Sequence, residues 1–96
     1  MNFPSANTDS IELSNDFKQN FKQVLSIDIA NYGAVAVILN VNGVKRTLPA
    51  GNTFLNVPNY SFRYTCEGVP FDIEIELLFP NGSSRVIIDK STLKNC

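Results

Sequence analysis

Asn42-Gly43 constrains this chain more than any other pair of residues, because it stands between two runs that place apolar side chains on one face of a strand, 34–41 and 44–48. A two-residue connection between such runs is a hairpin with a type I′ turn, which needs positive φ at both central positions; Asn tolerates that and Gly favours it. The loop length also fixes the register. Val41 should oppose Val44, Leu39 should oppose Arg46 and Val37 should oppose Leu48, with Val35, Val37, Leu39 and Val41 turned to one face.

The same period of two recurs along the chain. Residues 71–79 give the longest alternation, with Phe71, Ile73, Ile75, Leu77 and Phe79 set against Asp72, Glu74, Glu76 and Leu78. Residues 53–57 read as a short strand after Pro49-Ala50-Gly51-Asn52. Residues 61–66 read as another, with Phe62, Tyr64 and Cys66 inward, and 85–89 as the last. Glu67-Gly68 and Pro80-Asn81-Gly82-Ser83-Ser84 supply the turns between them.

The stretch from Phe17 is ambiguous. Phe17, Phe21, Val24 and Leu25 fall at helical spacing, whereas Phe21, Leu25, Ile27 and Ile29 share one face of a strand. The Leu-Ser-Ile-Asp-Ile segment alternates and is rich in β-branched residues, so 19–30 is read as a strand. A short helical turn over 16–22 is the alternative.

About seven short strands separated by turn signals, each with one polar face, describe an all-β, antiparallel β-sandwich, Ig-like or jelly-roll-like, with a small barrel left open. A chain of 96 residues has apolar surface for one core. The domain should span 16–90. Residues 1–15 are mostly polar, with scattered apolar side chains such as Phe3, Ile11 and Leu13, and read as a flexible N-terminal arm, either a mobile tail or a segment that orders on a neighbouring subunit. Residues 91–96 read as a C-terminal tail.

The chemistry the residues exclude is as informative. The sequence has no histidine, which removes the usual proton-transfer side chain near neutral pH and the commonest metal ligand. Eight Lys and Arg against nine Asp and Glu leave no positive excess to displace counterions from nucleic acid. The longest apolar run, 34–39, is far short of the ~20 residues that span a bilayer. Residues 1–10 lack the basic and apolar regions of a secretory signal, so Cys66 and Cys96 are expected as thiols. No catalytic, cofactor-binding or metal-binding residues are assigned, no cofactor is expected, and an enzyme is not.

Two groups of residues have both a functional and a plainer reading. Asp72, Glu74 and Glu76 place three carboxylates on one strand face, a spacing that calcium or glycoside chemistry can use. The plainer reading is a solvated face paired across the sheet with Arg63, Arg85 or Lys45, which also discourages edge-to-edge association. Tyr32, Phe54 and Tyr60 lie near turns, where they either form an exposed aromatic patch or cap the ends of the core.

In residues 31–58 the order Asn-Tyr-Gly, Val-Ala-Val-Ile-Leu-Asn-Val-Asn-Gly and Thr-Leu-Pro-Ala-Gly-Asn-Thr-Phe resembles small β-sandwich structural proteins of tailed-bacteriophage virions. The likeness extends through Asp89, and the Asn-rich composition and short chain without a signal lean the same way. The resemblance implies a virion component, in head decoration, head-to-tail joining or tail assembly. Its partners would be other virion subunits, as a homo-oligomer or bound to a lattice, with no nucleic acid and no membrane involved. It carries no site residues over. The alternative is an Ig-like binding module of a bacterial surface or periplasmic protein that recognises carbohydrate or protein, which would favour a Cys66–Cys96 disulfide.

Overall fold

The computed structural model describes residues 6–93. They form seven strands and no helix: β1 (Ala6–Leu13), β2 (Phe17–Asn31), β3 (Val37–Val41), β4 (Val44–Leu48), β5 (Ser61–Thr65), β6 (Phe71–Leu78) and β7 (Val86–Leu93). Every pairing is antiparallel, in the order β1-β7-β2-β6-β3-β4, with β5 also paired to β2.

The fold turns on β2, whose 15 residues serve two layers. Residues 17–24 pair with β6 and complete a layer with β3 and β4, whereas 24–31 lie between β7 and β5 in a layer that β1 completes. The corner between them is made by two register shifts. Phe21 opposes Ile73 and Val24 opposes Phe71, so Lys22 and Gln23 together face the single residue Asp72; then Val24 opposes Thr92 and Ser26 opposes Ser91, leaving Leu25 over. Gln23 takes a positive φ of 58°, and its N–H is satisfied by the Asp72 carboxylate at 3.3 Å. Bulges bend a strand and raise its twist, and sandwich corners are built from them.

Both ends of β2 therefore return to the same end of the molecule. Phe17 is in register with Leu77. Asn31 donates to the Leu48 carbonyl; Leu48 opposes Val37, and the next residue, Ile38, opposes Leu78. The layers close on one apolar core that includes Phe21, Val24, Ile27 and Ile29 of β2, Leu39 of β3, Leu48 of β4, Phe62 of β5, Ile75 and Leu77 of β6, and Ile88 of β7. Each fully buried aliphatic side chain contributes about 1.5–3 kcal/mol. Two cationic heads lie over aromatic rings of the core: the Arg46 guanidinium of β4 is 4.6 Å from the Phe62 ring centroid of the opposite layer, and the Lys90 ammonium of β7 is 5.3 Å from that of Phe21.

The hairpin registers are those expected, Val41 with Val44, Leu39 with Arg46 and Val37 with Leu48. Asn42 and Gly43 take φ of 51° and 87°. Asn42 also continues the pairing of β3 with β6, accepting the Glu74 N–H at its side-chain oxygen (2.8 Å) and donating its own N–H to the Glu74 carbonyl (3.0 Å). Glu67-Gly68 turns as expected, with both φ positive and the Val69 N–H donating to the Cys66 carbonyl.

Five expectations are corrected. Residues 6–13 are not a flexible arm: they form β1 on β7, with Ile11 opposite Ile88 and Leu13 opposite Val86, and Lys90 bonded to Asp9 at 3.3 Å. Residues 91–93, read as tail, extend β7 to meet them; residues 1–5 and 94–96 lie outside the described residues. Residues 19–30 are strand as read, within a longer β2, with no helical turn at 17–22, but Val24, not Leu25, joins the buried face. Helical spacing arose because each bulge stretches an i+2 interval to i+3, so that Phe21, Val24 and Ile27 stand three apart. Residues 34–36 stay outside β3, since the Val35 carbonyl is taken by the Asn31 side chain at 2.8 Å. Residues 53–57 are not a strand but a closed loop.

Candidate interaction surface

That loop is built by asparagine side chains that take up backbone groups a strand would have needed. Asn52 and Val57 exchange both backbone hydrogen bonds, at 2.8 and 3.1 Å. Within them the Asn52 side-chain oxygen accepts the Leu55 N–H at 3.0 Å, and Asn56 reverses the chain at φ 55°. Outside them, Asn59 donates to the Ala50 carbonyl and Arg85 donates to the Asn56 side chain at 3.0 Å. The hydrogen bonds that close the loop use asparagine side chains and backbone, and none of its apolar side chains. Phe54 is 94% exposed and Leu55 62%, with Val57 and Tyr60 also exposed.

The loop rests on a polar junction at the end of β2. Asn31 is fully buried and its side-chain bonding capacity is fully used: it donates to the Val35 and Leu48 carbonyls and accepts from the Gly33 N–H (2.9 Å) and the Ser84 hydroxyl (2.7 Å). Three chain segments are thereby tied together. A Cβ on Gly33 would meet the Ser84 oxygen at 1.9 Å and the Arg85 nitrogen at 2.4 Å, so only glycine fits. The Gly33 carbonyl in turn accepts from Gly51, which starts the exposed loop.

Of the three aromatic residues singled out in the sequence, Phe54 and Tyr60 are exposed at this loop, whereas Tyr32 is half-buried beneath the Arg85 guanidinium, 5.7 Å from its ring centroid. Exposure at this loop fits the patch alternative for Phe54 and Tyr60 and not for Tyr32. Leu55 and Val57 were missed because alternation assigned them to a strand; the signal available was the trio Asn52, Asn56 and Asn59, which favours turns over ladders.

The acidic row lies on the outer face of β6, but not with the partners expected. Lys18 approaches Glu74 at 3.8 Å, Asn40 donates to Glu76 at 3.1 Å, and Asp72 holds the β2 bulge. Arg85 pairs instead with Glu12 of β1 at 3.1 Å. Since β6 lies between β2 and β3, its carboxylates guard no sheet edge. Among the described residues, no three side chains of Cys, Asp or Glu converge on a common point. Cys66 is half-buried at the end of β5, and Cys96 lies outside the described residues.

Opposite the exposed loop, between the β3–β4 hairpin and the β5–β6 turn, is a recess of about 150 Å³ lined by Val41, Asn42, Tyr64, Phe71, Asp72 and Ile73. Tyr64 and Phe71 meet edge to face in it, their centroids 4.9 Å apart. Val44, the register partner of Val41, and Val69, two residues before Phe71, are exposed beside these lining residues in the chain. Comparison with models of known protein families, with curated proteins and with solved structures finds no match for this chain.

Proposed function

We propose that this chain is a non-catalytic structural protein that docks on other protein subunits through the 52–60 loop, as a component of a bacteriophage virion. The observation that carries the docking role is the exposure of Phe54 and Leu55 on a loop whose own hydrogen bonds hold it closed. Aromatic side chains concentrate binding energy at interfaces, and a pre-ordered loop loses little entropy when it binds. An uncharged segment suits such a contact, and residues 49–60 contain no Asp, Glu, Lys or Arg. The virion assignment rests on the resemblance of residues 31–58 to phage β-sandwich proteins.

The test is to look for the chain by mass spectrometry in purified phage particles and to compare wild type with Phe54→Ser supplied in trans. The expected result is incorporation of the wild type and its loss in the variant, with thermal stability unchanged. Equal incorporation of both removes the loop from the docking role. Absence of the wild-type chain from the particles removes the virion assignment.

A further inference from the structure

The exposed loop and the recess lie at opposite ends of β4 and β5: the loop joins Leu48 to Ser61, whereas Val44 and Thr65 end at the recess. A five-residue strand spans about 15 Å. The loop is also closed by the Asn52–Val57 bridge, so Phe54 has no route to the recess of its own chain.

The two features nevertheless match in size and chemistry. The recess is open to solvent and lined by Asn42 and Asp72 beside four apolar side chains, and its volume of about 150 Å³ is that of a cavity that takes up one benzene molecule. It therefore fits a single phenyl group, and is too small for a helix or an extended peptide. Its walls already hold the Tyr64–Phe71 aromatic pair, to which a third ring can add edge to face, and the positive edge of a phenyl ring suits the Asp72 carboxylate at the rim. No charged side chain of residues 49–60 would have to be desolvated.

We infer that the 52–60 loop of one copy docks on a second copy of this chain, with Phe54 seated between Val41, Tyr64, Phe71 and Ile73 of the neighbour. This rests on the reading of the loop as a docking element and names its partner. A contact that uses different surfaces on its two sides is heterologous, and its repetition gives a ring or a filament. One buried Phe supplies about 150–250 Å², well below the ~800 Å² per partner of a standard stable complex. A single contact is weak, and repetition within an assembly holds the copies together.

Sedimentation velocity of the purified chain, from micromolar concentrations to about 1 mM, the weak end of specific affinities, tests this. Wild type should form a concentration-dependent series extending past the dimer. Phe54→Ser should weaken association by roughly thirtyfold or more, as for an aromatic hot spot. Tyr64→Asp, which puts a charge in the recess, should do the same, with Val69→Asp at the turn as the second variant should Tyr64→Asp fail to fold by circular dichroism. An equimolar mixture of Phe54→Ser with the recess variant has one intact loop and one intact recess per pair, and should stop at a dimer. A mixture that stays monomeric while wild type assembles would point to a symmetric contact and overturn the inference. So would a wild type that stays monomeric throughout; if Phe54→Ser then still blocks particle incorporation, the docking role of the loop stands and only the self-association falls.

Discussion

Asn31 and Phe54 belong to neighbouring parts of one end of the molecule and invert the usual placement of side chains in opposite directions. Asn31 is a fully buried amide, and Phe54 a phenyl ring 94% exposed. The buried amide is accounted for inside the chain, by four hydrogen-bond partners from three segments. The exposed ring has no such account, because the loop is closed by Asn52, Val57 and Asn59 without it. A polar group in the core explains architecture, whereas an ordered apolar group in water points to something outside the fold.

The contrast breaks most easily at Asn31. Asn31→Leu leaves the Val35 and Leu48 carbonyls, the Gly33 N–H and the Ser84 hydroxyl without their partner, and should cost about 3–5 kcal/mol, given ~1–3 for each buried unsatisfied group and incomplete additivity. Urea unfolding measures this; a loss below about 1 kcal/mol would mean that the junction is not what holds this end. Gly33→Ala should follow, at about 2–3 kcal/mol, because the backbone nitrogen of Arg85 cannot retreat from the added methyl without moving β7. A thermal melt should fall by at least ~8 °C for a domain of this size. Asn52→Ala removes an exposed bond to Leu55 and should cost only about 0.5–1 kcal/mol, while speeding amide exchange at Leu55. Phe54→Ser should change stability by less than about 0.5 kcal/mol; a clear destabilisation would show that the ring serves the fold after all and erase the comparison.

Much of the architecture was legible in the sequence where one rule acted alone. Asn42-Gly43 fixed three residue pairs, and the alternation in β6 marked Ile73, Ile75 and Leu77 as core. It was illegible where two rules met. The bulges of β2 turned a period of two into spacings of three, imitating a helix. β1 escaped notice because an edge strand buries little: Ile11 and Leu13 are its apolar side chains toward the core, and its partner carries four polar residues in a row, 89–92. The exposed loop was read as a strand because Thr-Phe-Leu-Asn-Val has strand propensity, but asparagine side chains captured the backbone donors first. The buried role of Asn31 left no trace in local pattern, since its partners come from residues as distant as Ser84.

The corner in β2 has a consequence for how the molecule comes apart. Because one continuous strand is hydrogen-bonded in both layers, neither layer has a complete set of strands without the other. Slow hydrogen exchange should therefore converge on a single opening energy for Ile27, Ile75 and Ile88 alike, the behaviour of one cooperative foldon. Assembly from the unfolded chain must wait for its most distant segments to meet, which places this small domain among slow folders of high contact order.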